Sequence, residues 1–109
     1  MGSRGDEWIW NAAVAAIAFA AYSLVVPGVS SDKDGSEFTL VLATLGLAHP
    51  TGYPIYTLVG HAFVALAHAI GVGWDRAANL WSALGGAVAL GFMHALASRL
   101  LASARRGRA

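Results

Sequence analysis

Hydrophobic and polar positions along this chain fall into long blocks. After a polar leader carrying Arg4, Asp6 and Glu7, residues 8–26 run for 19 positions without a charge, close to the roughly 20 an α-helix needs to cross a bilayer. Trp8 and Trp10 open that run where an interfacial aromatic belt would lie. Ala12, Ala16 and Ala20 form a small-residue stripe suited to close helix packing. Pro27-Gly28 ends the helix, and residues 29–33 read as a polar linker. The next apolar stretch, 36–48, has 13 residues. It is too short to span, and it predicts a helix lying in or dipping into the interface. Residues 49–54 must be irregular, because Pro50 and Pro54 drive His49 and Tyr53 toward extended backbone and Thr51-Gly52 is turn chemistry. Residues 55–71 are apolar again, at the short limit for a span. Gly71 to Asp75 reads as a turn, with Trp74 interfacial and Asp75 placed to N-cap the last segment. That segment, 77–104, is long enough to span with tilt. Its Ala83, Ala87, Gly91 and Ala95 predict a small face packed on another helix.

The expected fold class is therefore an all-α integral membrane protein. Two to three transmembrane helices, a short interfacial helix and a rigid Pro/Gly loop would form one membrane segment over residues 1–109. Composition agrees: 57% of the residues are hydrophobic and 12% charged, against about a quarter charged in soluble domains. Mean hydropathy is +0.58. A net charge of +1 gives no ground for a nucleic-acid partner. The absence of cysteine excludes a disulfide framework, a thiolate metal site and a cysteine nucleophile. Ala18-Phe19-Ala20 resembles a signal-cleavage tripeptide, but the acidic leader and the length of the apolar run favour a retained span.

Charge distribution leaves two topologies open. Three spans would put Lys33, Arg105, Arg106 and Arg108 together, and by the positive-inside rule would place the Asp34 loop in the cytoplasm. Two spans, with 55–71 re-entrant or embedded, would turn that loop outward and keep both the N-terminus and the arginine tail inside.

Candidate chemistry centres on Asp34 to Pro54. Asp34 and Glu37 are three apart, so on a helix they share a face and could converge on one ligand. The same spacing is a capping-box pattern, with Asp34 as N-cap and Glu37 at the third position. Asp32 reads as a solvated linker residue. The loop 49–54 would present His49 to a phosphate or sugar and Tyr53 to a sugar ring; the plainer alternative is a connector whose Tyr53 and Tyr56 anchor at the interface. His61, His68 and His94 read as hydrogen-bonded packing residues, with no i,i+4 pair to hold a metal. Arg76 and Asn79 read as ties between helices.

The order of these motifs is informative. An apolar span leads to Asp34-Gly35-Ser36-Glu37-Phe38, and then to Leu45-Gly46-Leu47-Ala48-His49-Pro50-Thr51-Gly52-Tyr53-Pro54-Ile55-Tyr56. A further apolar segment precedes Trp74-Asp75-Arg76-Ala77-Ala78-Asn79-Leu80-Trp81-Ser82. From the first span to about Arg99 the chain resembles the N-terminus of a GT-C type membrane glycosyltransferase. It is most similar to a family catalogued as a domain of unknown function and related to protein O-mannosyltransferases. That family usually reads Asp-Ser-Gly-Glu where this chain has Asp34-Gly35-Ser36-Glu37, so the acids keep their spacing.

The resemblance implies a sugar taken from a polyprenyl-phosphate donor at the outer face of the membrane. Asp34 would be the general base. Glu37 would bind the acceptor or a divalent cation, or orient Asp34, and His49 and Tyr53 would lie near the donor's phosphate or sugar. It also implies further spans, so the chain is expected to be an N-terminal fragment, inactive alone. Its partners would be membrane lipid, the lipid-linked donor and the remaining helices of the parent enzyme, in the inner membrane of a bacterium. Two rivals stand beside this. One is a small non-catalytic membrane subunit whose Asp34 and Glu37 form a helix cap. The other is a secreted product released by signal cleavage.

Overall fold

The structure, a computed structural model, describes residues 4–29, 33–49 and 53–107. Asp32, the Pro50-Thr51-Gly52 turn and Arg108, all noted in the sequence, lie outside them. The described residues form four helices and no strand: α1 (Arg4–Val25), α2 (Lys33–Thr44), α3 (Pro54–Ala69) and α4 (Trp74–Arg106). Two of them, α1 and α4, are long and apolar enough to cross a membrane. α3 has 16 residues, which at ~1.5 Å per residue gives about 24 Å, short of a hydrocarbon core of roughly 30 Å.

Burial distinguishes these helices from the core of a soluble domain. Only 11% of the apolar window of α4 is buried, and none of that of α1. Ile17, Leu24, Phe92, Met93, Leu96 and Leu101 all face outward. Exposed apolar surface on this scale would be a liability in water and matches a lipid environment.

Helix ends differ from the sequence reading for identifiable reasons. α2 covers 33–44, not 36–48. Leu45 adopts left-handed backbone (φ 54°) and the Gly46 N–H donates to Val41 O at 3.0 Å, which closes the helix in a Schellman turn. The apolar character of Leu45 and Leu47 hid this stop, yet Leu47 is 93% exposed. α3 ends by the same device with the usual residue in place. Gly71 (φ 98°) is left-handed, its N–H reaches His68 O at 3.0 Å, and the Val72 N–H reaches Ala67 O at 3.1 Å. α4 starts at Trp74, with the Ala77 N–H on Gly73 O at 2.9 Å. Asp75 is therefore not the N-cap but a first-turn acid, favourable at the positive end of the helix dipole.

The chain divides into two compact units, one of Met1–Leu24 with Leu84–Ala109 and the other of Val25–Ala83. In the first, the α4 stripe packs as its spacing predicts: Ala87 and Gly91 are buried. A Cβ added at Gly91 would stand 3.0 Å from Asn11 O and 3.1 Å from the Ala15 Cβ. The predicted α1 stripe is displaced by one position, because Ala12, Ala16 and Ala20 remain exposed while Asn11 and Ala15 meet α4. Asn11 turns inward because His94 Nδ1 donates to its Oδ1 at 2.7 Å. Such pairing satisfies polar groups among apolar helices.

The second unit has its core where α2, α3 and the head of α4 meet. Leu42, Val64, Ala77 and Ala78 are buried, with Tyr56, Phe63, Ala67, Val72 and Trp81 packed around them. Gly60 lets α3 approach Leu42 and Trp81. The histidines act as the packing reading expects. His61 Nδ1 donates to Leu42 O at 2.6 Å, satisfying a carbonyl left orphaned at the end of α2. His68 Nδ1 donates to Val72 O at 2.9 Å and its ring stacks on Trp74. Arg76 and Asn79 donate to Val26 O and Pro27 O, at 3.5 and 3.1 Å, tying the segment after α1 to the head of α4.

Candidate active site

α2 places Asp34 in its first turn and Glu37 one turn later, on one face by helical spacing. The two acids then have different fates. The Asp34 side chain is exposed and no described residue pairs with it. Glu37 is committed: its Oε1 accepts the backbone N–H of His49 at 2.6 Å, and the ring Nδ1 of His49 lies 3.1 and 3.2 Å from the two carboxylate oxygens. A carboxylate can only accept, so Nδ1 carries the proton in this contact and Nε2 is left as the outward ring atom. The His49 backbone N–H holds the Glu37 carboxyl below its ordinary range; desolvation opposes it, and the ring hydrogen bond and charge of His49 each add a smaller lowering.

This replaces the capping-box reading. In a capping box the Glu37 side chain would reach back to the start of its own helix; here it reaches forward, twelve residues along, to the loop. The helix also begins at Lys33, which leaves Asp34 inside the first turn.

Aromatic rings fix the loop on its other side. Phe38, adjacent to Glu37, meets the edges of His49, Tyr53 and Tyr56 at centroid distances of 5.7, 5.6 and 5.5 Å. His49 and Tyr53 contact each other at 5.8 Å. Tyr56 continues the chain of contacts to Ser82 Oγ (3.1 Å) and the Trp81 ring. Tyr53 was expected to be extended because Pro54 follows it; instead it is left-handed, φ 45° and ψ 54°. For a bulky residue this costs of order 1–2 kcal/mol. The ring contacts offset that cost. Pro54 at the head of α3 needs no N–H partner, and the Thr57 N–H takes Tyr53 O at 2.9 Å to start the helix. The structure thus brings Glu37 and Tyr53 each to His49, while Asp34 lies one turn before Glu37 on α2. Phe38, which closes the acidic motif in the sequence but was given no role there, is the hub.

The glycosyltransferase resemblance now has independent support. A family model, that of the protein O-mannosyl-transferase TMEM260 N-terminal domain, matches residues 34–108. The chain belongs to this TMEM260 family. The match begins at Asp34 and takes in Glu37, His49 and Tyr53. It sets α2, the loop and α4 in a glycosyltransferase context. No curated protein and no solved structure is detectably similar to the chain. Among the described residues no three acidic or imidazole groups converge as metal ligands.

Proposed function

We propose that this chain carries the catalytic loop of a membrane glycosyltransferase that moves a sugar from a polyprenyl-phosphate donor to an acceptor hydroxyl. Membership of the TMEM260 family supplies the reaction class. The observation that carries the assignment of roles is the unequal fate of the two acids. Asp34 keeps a free, solvent-reached carboxylate, while Glu37 is spent on His49. A general base needs an unencumbered lone pair within reach of the proton it removes.

In this reading the acceptor oxygen attacks the anomeric carbon as its proton passes to Asp34. The bond from that carbon to the phosphate oxygen breaks, and the polyprenyl phosphate leaves with the bonding electrons. In the same reading His49 meets the donor's phosphate and Tyr53 its sugar. The lipid-linked donor also suits a chain with two membrane-length helices. In this reading α3, at 16 residues, does not cross, and Asp34 lies on the outer side of the membrane. The remaining helices of the parent enzyme would complete the site.

Donor class is the test. Membranes containing the full gene product should transfer sugar from a polyprenyl-phosphate-linked donor and not from a nucleotide sugar. Transfer from the nucleotide sugar in membranes stripped of polyprenyl phosphate would overturn the assignment. The non-catalytic subunit reading requires no transfer with either donor.

A further inference from the structure

Two contacts to one carboxylate, from the backbone and the ring of the same residue, make an unusual pairing for a plain surface ion pair. Glu37 holds the N–H of His49 at 2.6 Å and its Nδ1 at 3.1 Å. Phe38 and Tyr53 press the same imidazole edge-on at 5.7 and 5.8 Å. Backbone, ring plane and tautomer are thereby all set by neighbours, yet the pair stays over a third exposed. A latch that served only to fasten the loop would need the backbone contact alone. Fixing Nδ1–H as well determines which ring atom faces out.

We propose that Glu37 is the positioning residue for His49, holding the ring so that Nε2 is presented to a phosphate monoester, the leaving group of the donor. This deepens the glycosyl-transfer reading and rests on it for the identity of that phosphate. It divides the labour of the acidic pair: Asp34 handles the acceptor's proton, and Glu37 acts through His49 on the donor. Protonated at Nε2, the ring donates to a phosphate oxygen, and the carboxylate on its far side balances the imidazolium charge. Lys33 and Asp34 are the other charged groups on α2 near this end; Phe38 and Tyr53, on the loop side, are neutral.

Amide and imidazole geometry supply a test that separates presentation from latching. In His49→Asn the amide nitrogen stands near the Nδ1 position and still donates to Glu37, but nothing occupies the Nε2 position. In Glu37→Gln the size is kept, and the amide NH2 group turns Nδ1 into an acceptor, moving the proton to Nε2. The whole chain in nanodiscs, labelled with 15N at histidine, is titrated with polyprenyl phosphate, with polyprenol and with inorganic phosphate. Wild type should show a protonated Nδ1 at His49 before any addition, and a shift of Nε2 with polyprenyl phosphate but not with polyprenol. Inorganic phosphate should need at least tenfold higher concentration; equal potency would mean that the phosphate comes from solution, and would overturn the donor assignment. His49→Asn should weaken binding at least tenfold with the amide spectrum of α2 and α3 intact, and Glu37→Gln should reverse the tautomer. An unprotonated Nδ1 in wild type, no Nε2 response to polyprenyl phosphate, or binding by His49→Asn within twofold of wild type would each overturn the proposal. Because binding is read without turnover, these results stand apart from any failure of the transfer assay.

Discussion

Replacing Gly60 by alanine sets two effects of known size against each other. Inside a helix, alanine is favoured over glycine by about 0.8–1 kcal/mol. At this position, however, the new Cβ would stand 2.6 Å from Leu42 Cδ2, 2.6 Å from Trp81 Nε1 and 2.9 Å from Trp81 Cδ1. Neither neighbour is free to yield. Leu42 is fully buried, and the Trp81 ring is held by Tyr56 and Phe63 at 5.9 and 5.6 Å. The Trp81 Nε1 and Thr57 Oγ1 atoms are already buried without a partner among the described residues, so little polar relaxation is available. Overpacking of this kind costs roughly 1–3 kcal/mol, which leaves Gly60→Ala destabilised by about 0–2 kcal/mol after the helix gain. Gly85, in the interior of α4, is the control: nothing lies within 4 Å of its added Cβ. Gly85→Ala should stabilise by up to ~1 kcal/mol. Reversible unfolding of both variants in mixed micelles, followed by helical circular dichroism, measures the gap, expected at roughly 1–3 kcal/mol. Equal stability for the two would refute the packing described around Gly60. A shift of the Trp81 ring would also pass through Tyr56 to Phe38, so the His49 ring signals should move in Gly60→Ala and not in Gly85→Ala.

Other consequences follow from single contacts. A double-mutant cycle on Asn11 and His94, each changed to alanine, should give a coupling of about 0.6 kcal/mol and at most ~1.7; zero coupling would contradict the 2.7 Å bond. Acid should release the loop from α2. The folded Glu37 carboxyl titrates below its ordinary value of 4.5, so its contribution is whole above that pH and is lost as pH falls through the lower folded value. The His49 amide resonance should report this with a midpoint below 4.5, and the transition should vanish in Glu37→Gln; a midpoint at or above 4.5 would count against the contact.

Much of the scaffold could be read from spacing alone. Long apolar runs located α1 and α4, the four-residue recurrence from Ala83 to Ala95 located the face that α4 buries, and Gly71 marked the end of α3. The site's residues were also legible as a group, because two acids at helical spacing sit just before a loop rich in proline and glycine. What the sequence concealed was their pairing. Glu37 and His49 are twelve residues apart across a turn, and no periodic signal links a helix residue to a loop residue. The capping-box spacing offered a local partner for Glu37, and the tertiary contact displaced it. Left-handed backbone at Leu45 and Tyr53 was equally hidden, since apolar and aromatic residues rarely adopt it. Leu45 takes it to close α2, and Tyr53 takes it within the ring cluster around Phe38. The one-position error on α1 has a simple cause: small residues marked the candidate face, but a polar bond from Asn11 to His94 turned the helix.

The unequal roles of the two acids are tested most directly by Asp34→Asn in the full gene product, assayed for single-turnover transfer from a polyprenyl-phosphate donor. General-base catalysis contributes about 10²- to 10⁴-fold. Turnover should therefore fall by at least a hundredfold, while donor binding and the His49 ring signals stay as in wild type. A variant that transfers sugar within twofold of the wild-type rate would show that Asp34 is not the base, and that the free carboxylate at the head of α2 is only a helix-terminal charge.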